Sequence, residues 1–196
     1  MTGRAVYFDL ETGGVEPHHP DIQLAAIAVD CDTWAEVEAF ESKIQFDESK
    51  ADPKALEMNH YSAADWSAAP TLVEVVSKFT RFIDRHKSFE MISQRTGWPY
   101  QVARLVGHNA ATFDGPRLKA MFQRHGRFLP ADMRVRDTCQ RALWYFDERP
   151  ALPSPENYRL ATLCRYFGIP VEDTHEALAD VRLTIALARA LSQEVK

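Results

Sequence analysis

Four carboxylates and one histidine stand out among the residues able to do chemistry. Asp9 and Glu11 sit two apart in Val6-Tyr7-Phe8-Asp9-Leu10-Glu11-Thr12-Gly13. Asp114 closes His108-Asn109-Ala110-Ala111-Thr112-Phe113-Asp114, and His175 precedes Asp180 by five positions in His175-Glu176-Ala177-Leu178-Ala179-Asp180. Carboxylate oxygens are the ligands that hard divalent cations prefer. A pair of such ions about 4 Å apart supplies what phosphodiester hydrolysis needs: an activated water, neutralised phosphate charge and a stabilised leaving oxygen. Histidine, with an unperturbed pKa near 6.5, is suited to take a proton at neutral pH. Each motif alone has a plainer reading: a D-x-E pair on a solvated strand face, an aspartate capping a helix, a surface histidine. Their conjunction, in this order, is what points to a catalytic site.

The elements that must position these residues follow from periodicity. From Ala5 to Leu10 the chain alternates, with Val6, Phe8 and Leu10 on one face of a strand and Tyr7, Asp9 and Glu11 on the other. Thr12-Gly13-Gly14 breaks it. Ile22–Val29 and Glu36–Phe46 read as two further strands, with a turn around Cys31-Asp32-Thr33. Asp52-Pro53 opens a helical stretch, and Leu72, Val75, Val76, Phe79, Phe82 and Ile83 mark an amphipathic helix. Arg104–Gly107 is a short apolar strand. A helix from Asp114 turns Leu118, Met121 and Phe122 inward. Val135 lies in a short strand followed by a helix through Leu143. Arg159–Phe167 is a helix closed by Gly168 and Pro170, and Arg149–Pro155 is a proline-rich loop. A final helix from about Glu176 buries Leu178, Val181, Ile185 and Ala188. Five helical steps rotate about 140°, so His175 and Asp180 cannot share a helix face, and the histidine is placed on the preceding loop or first turn. Strands followed by alternating helices and strands indicate an α/β sheet of mixed direction flanked by helices.

Length and composition permit this. The 196 residues fit one domain, 1–196, and 45% apolar with 26% charged residues describe an ordinary globule. Cys31, Cys139 and Cys164 are far apart and lack C-x-x-C spacing, which suits packed free thiols in a reducing, cytoplasmic setting rather than zinc ligands. No stretch of about 18 apolar residues suggests a membrane span. The net charge of −5 argues at first against a nucleic-acid partner. The distribution matters more: Asp30–Glu57 holds nine acids and three bases, whereas Gly115–Gly168 holds ten bases and five acids. Divalent ions on the four acids would also reverse the local sign.

In order and local context the three motifs resemble the DEDDh exonucleases, which include ribonuclease T and the proofreading subunit of bacterial replicative DNA polymerase. The resemblance spans most of the chain. It implies a ribonuclease H-like fold and two divalent cations, Mg2+ or Mn2+. It also implies that Asp9 bridges both ions, that Glu11 and Asp180 hold the ion of the nucleophile, that Asp114 assists through water, and that His175 is the general base. It places Leu10 and Thr12 beside the terminal nucleotide, although alternation puts Leu10 on the face away from the acids. Asp52–Asn59 resembles the family segment whose last residue borders the 3′ nucleotide, here Asn59, but His60 stands where a glycine usually follows. Asn109 and Phe113 are further candidate contacts, Phe113 by stacking on a base, with core packing as its competing role. The implied activity is 3′–5′ hydrolysis of single-stranded or frayed 3′ ends, of DNA first. An RNA-trimming or oligoribonucleotide enzyme of the same fold, or a catalytically silent nucleic-acid-binding module, is the alternative. A polymerase partner is compatible with the resemblance and unsupported by any residue. About 86–104 reads as an insertion, with Gly97-Trp98-Pro99 marking a helix end and turn.

Overall fold

A computed structural model of the chain describes residues 3–171 and 176–193. Its centre is a six-stranded sheet. Strand β1 (Arg4–Thr12) pairs antiparallel with β2 (Asp21–Asp30), and β2 pairs antiparallel with β3 (Glu36–Lys43). On its other edge β1 runs parallel to β5 (Pro99–Gly107). The first half of β5 pairs antiparallel with β4 (Phe89–Ile92), and its second half runs parallel to β6 (Ala131–Asp137). The mixed direction expected from the order of elements is therefore observed.

Helices cover both faces. The alternation of β1 sends Val6, Phe8 and Leu10 into a cluster with Val75, Val76, Phe79, Phe82 and Ile83 of α3 (Leu72–Arg85) and Leu118, Met121 and Phe122 of α4 (Asp114–Arg124). Helix α3 begins on a reciprocal cap, Thr71 with Glu74, that satisfies its otherwise orphaned first amides. Ala5 and Tyr7 face the opposite way, under Ala177, Val181, Ile185 and Ala188 of α7 (Ala177–Ala190). Fully burying a side chain of the size of Leu or Phe contributes about 1.5–3 kcal/mol, so these two layers clamp β1 from both sides. Helices α5 (Thr138–Asp147) and α6 (Leu160–Tyr166) pack a third cluster, around Phe146 and Leu163, against the outer side of α7 at Leu187 and Leu191. Two short helices, α1 (Pro53–Met58) and α2 (Ala63–Trp66), lie between β3 and α3. Among the described residues no helix is long and apolar enough to cross a membrane.

Several sequence expectations are corrected. Gly97-Trp98-Pro99 marks no helix end: Phe89–Ile92 and the start of β5 form a hairpin turning through Ser93–Trp98, so β5 begins at Pro99 rather than Arg104. The cross-strand ladder decides this, a long-range term that local turn residues do not report. Strand β3 ends at Lys43, short of Phe46, and α5 continues four residues past Leu143. On α7, Ala177 is fully buried and Leu178 only partly so, because the small residue is the one that meets β1.

Candidate active site

Asp9 stands opposite Ala25 and Glu11 opposite Gln23 in the β1–β2 ladder, both on the face that α7 covers. Immediately after Glu11 the ladder is irregular, and the strand ends at Thr12. Asp180 lies in the first turn of α7. Helix α7 crosses where β2 carries Ala25, and the ligand oxygens of Asp9, Glu11 and Asp180 come within 4.8 Å of one another. Asp114 enters from the opposite layer as the first residue of α4, 5% exposed. It does not cap the helix, since the N-cap position is Phe113.

The electrostatics of the metal-free site are those of crowded like charges. The Asp9 carboxyl is held well above its usual range, first by burial and then by the charges of Asp114, Glu11 and Asp180. Glu11 is pushed up to about 7 by burial and by Asp180 and Asp114. Asp114 is also raised to about 7 by burial, against the opposing pull of its own and Leu10's backbone amides and of Arg117. Arg117 offsets the charge of Asp114 only in part, and a divalent cation is the group that would fit the remaining carboxylates.

The Asp114 arm is held by residues that the sequence did not single out. Asp137, the N-cap of α5, accepts the Cys139 amide at 2.8 Å and also the backbone amides of Asn109 and Ala111, each at 3.0 Å. Its position before a helix was a legible capping signal; its second duty was not. The His108 Nε2 donates to the Tyr158 carbonyl at 3.0 Å, which leaves Nδ1 to accept from the Thr138 hydroxyl at 2.9 Å. Burial lowers the His108 pKa, consistent with a neutral ring. Gly107 is required here, because a Cβ would collide with Ala110 and lie 3.1 Å from the Phe8 carbonyl. Asn109 adopts a left-handed φ of 58°, a conformation asparagine tolerates better than most residues.

The loop after β1 is pinned from two directions. The Asn59 amide donates to the Thr12 carbonyl at 3.0 Å, and the Asp52 amide donates to the Gly13 carbonyl at 2.7 Å, tying α1 to the strand end. The structure thus brings together Thr12 and Asn59, and His60 takes a left-handed φ of 50° in the place where glycine was expected. From α4, Arg117 donates to the carbonyls of Gly14, Val15, Glu16 and His19 and to the buried Asp21 carboxylate at 3.2 Å. No periodicity predicts Arg117, since its partners are about 100 residues away. Its guanidinium also lies 4.7 Å from the centre of the half-buried Phe113 ring. Phe113 and Arg117 line a surface groove of about 300 Å3 with Val15, Pro17 and Arg124. Leu10, by contrast, is 4% exposed in the core, on the side away from the acids. His175 lies outside the described residues.

The profile of the RNase_T exonuclease family matches residues 6–91 and 87–188 of this chain. Protein NEN4 of Arabidopsis thaliana is 27% identical over 192 residues, which is 94% of this chain and 65% of that protein. E. coli Exonuclease I in complex with a dT13 oligonucleotide superposes with a TM-score of 0.73 at 21% identity, over 96% of this chain and 40% of that one. The zinc-bound form of the E. coli ExoI–ssDNA complex gives 0.74 at 20% identity, over 97% and 40%. The chain thus spans less than two thirds of each of these relatives. The likeness to Exonuclease I identifies the sheet and its flanking helices as a ribonuclease H-like α/β fold. With both halves of the chain matched and the acids converging, the chain belongs to the RNase_T family of DEDD-type exonucleases.

Proposed function

We propose that this chain is a divalent-cation-dependent 3′–5′ exonuclease that removes 5′-mononucleotides from single-stranded or frayed 3′ ends, of DNA in preference to RNA. The observation that carries the reading is the convergence of Asp9, Glu11 and Asp180 within 4.8 Å, with the charge of Asp114 acting on Asp9 from the other layer. All the donors are carboxylate oxygens, which suit Mg2+ or Mn2+. Asp9, Glu11 and Asp180 would hold the ions, with Asp114 completing their surroundings. Bound there, two such cations would neutralise phosphate charge and activate the attacking water.

The chain's own groups divide the remaining work. The Thr12–Asn59 junction, rigid through its 3.0 Å hydrogen bond, borders the acids and would seat the terminal nucleotide. Asn109 and Phe113 flank the Asp114 side, where the groove beside Arg117 would take the adjoining strand. His175, by its place in the motif, would take the proton of the attacking water. Leu10 contributes through its backbone, since its side chain is in the core. DNA is preferred because the structural neighbours include Exonuclease I bound to dT13. A catalytically silent binding module is disfavoured by the retention of all four acids.

The test is incubation with end-labelled linear DNA and RNA strands and a circular single strand, with magnesium, with manganese and with chelator. Mononucleotide release from linear 3′ ends that chelator abolishes is expected. Cutting of the circle would show an endonuclease, and faster release from RNA would transfer the substrate assignment to the RNA-trimming alternative.

A further inference from the structure

Below the acids, under the C-terminal half of α7, lie two adjoining hollows of about 160 and 210 Å3. Both are lined by Tyr7, Trp34 and Arg141. Val106 and Ala188 wall one of them, and Cys31 the other. A cavity of about 150 Å3 in an apolar protein interior is large enough to take benzene, so these spaces suit a ring-sized guest.

Two polar groups in these walls have capacity to spare. Tyr7 is only 3% exposed, yet its hydroxyl makes no hydrogen bond among the described residues. An accessible phenol hydroxyl can both donate and accept, so it is available to a guest in the hollow. Arg141 donates through Nη2 to the Leu191 carbonyl at 3.1 Å and has no carboxylate partner among the described residues. A guanidinium has five donors in a planar fork that matches a carboxylate or phosphate. Beside them Trp34, at a left-handed φ of 63°, supplies a flat indole face. The turn from β2 to β3 sets that conformation, with the Trp34 amide donating to the Asp30 carbonyl at 2.9 Å, and the side chain packs onto the layer under α7.

We propose that this hollow binds a small anion with a planar apolar body, the ring lying against Trp34 and Ala188 and the acid group taking the free donors of Arg141 and the Tyr7 hydroxyl. An aromatic carboxylate and a nucleoside monophosphate share this chemistry. The site is separate from the acids: Tyr7 precedes Asp9 by two residues on the same strand face, about 7 Å along the strand. Its first hollow is bounded by Asp137, whose carboxylate carries the Asn109–Ala111 loop leading to Asp114. Occupancy would therefore touch the support of the active site without entering it.

The test is calorimetric titration of the whole chain in chelator, so that no divalent ion can hold a phosphate at the acids. The probes are indole-3-acetate, AMP and uncharged indole. Saturable binding of one equivalent of either anion is expected, with indole at least about tenfold weaker, the usual worth of a charged hydrogen bond. Binding of only one anion names the acid group. Arg141→Gln, an exposed change on α5, should weaken the bound anion by about tenfold or more and leave unliganded nuclease activity unchanged. Ala188→Leu should fill the hollow and abolish binding; if it does not fold, Arg141→Gln decides alone. No saturable binding of either anion at millimolar concentration, or equal affinity in the parent and Arg141→Gln, overturns the proposal.

Discussion

One carboxylate, that of Asp137, caps α5 through the Cys139 amide and holds the Asn109 amide at 3.0 Å, so helix and loop are fixed to the same two oxygens. The loop from Asn109 leads to Asp114. A capping residue is thereby also the brace of the loop that leads to Asp114, and its loss should be felt in both stability and activity.

Asp137→Ala is expected to lower stability by about 1–2 kcal/mol, the upper part of the range for a lost N-cap. Nuclease activity should fall further than the fraction unfolded explains. Asp137→Asn keeps one acceptor and should lie between the two. Urea unfolding and initial rates on the three proteins check this; an Ala variant with parental rates would show that the loop holds itself.

Arg117 ties the loop after β1 to α4 and pairs with Asp21, whose side chain is 2% exposed. Removing Arg117 leaves the buried Asp21 carboxylate only Arg124 at 3.7 Å, and breaking a buried pair costs about 3–5 kcal/mol. Arg117→Ala should cost that much, and Arg117→Lys should recover little, because a point charge cannot serve several carbonyls at once. Thermal melts of both variants are the measurement, with a loss below about 1 kcal/mol in Arg117→Ala contradicting the assignment.

Glu11 and Asp114, each raised to about 7, and Asp9, also held well above its usual range, make the metal-free protein pH-sensitive. An acid raised on folding means that the folded state holds more protons than the unfolded one. In chelator, stability should therefore fall as pH rises from about 4 through 7. Glu38 and Asp132, both lowered to about 2 by arginine partners, act oppositely, and their stabilisation is lost as pH falls from about 4 toward 2. Asp9→Asn should flatten the neutral limb and melt at or above the parent temperature in chelator. Magnesium or manganese at pH 7.5 should raise the melting temperature of the parent more than that of the mutant. A clearly less stable mutant in chelator, with neither protein responding to metal, would mean that the acids do not act as one site.

His175→Ala should lower kcat by about 10²- to 10⁴-fold, the usual contribution of a general base. The rise in melting temperature on adding magnesium should persist, because the carboxylates are intact. More than half the parental rate in the variant would remove the histidine from the mechanism.

The sequence by itself determined which residues share a face. Alternation on β1 placed Asp9 and Glu11 together and sent Leu10 to the core, and helical spacing placed Val181, Ile185 and Ala188 against the sheet. These are local properties of a repeating backbone, readable from any stretch of eight or ten residues. The motif order also sufficed to name the family of the acids. What only the tertiary structure decided is every relation between distant parts of the chain. The 4.8 Å approach of Asp180 to Asp9 and Glu11 depends on how α7 crosses a strand carrying Ala25. The hairpin at 89–102 formed where local turn residues had suggested a helix end, because its ladder partner was not visible locally. Arg117 looks like an ordinary surface charge in the sequence and Asp137 like a helix cap alone, since the carbonyls Arg117 holds and the loop amides Asp137 holds are many residues away. Local periodicity selects a face, but packing between elements fixes the distances on which the chemistry depends.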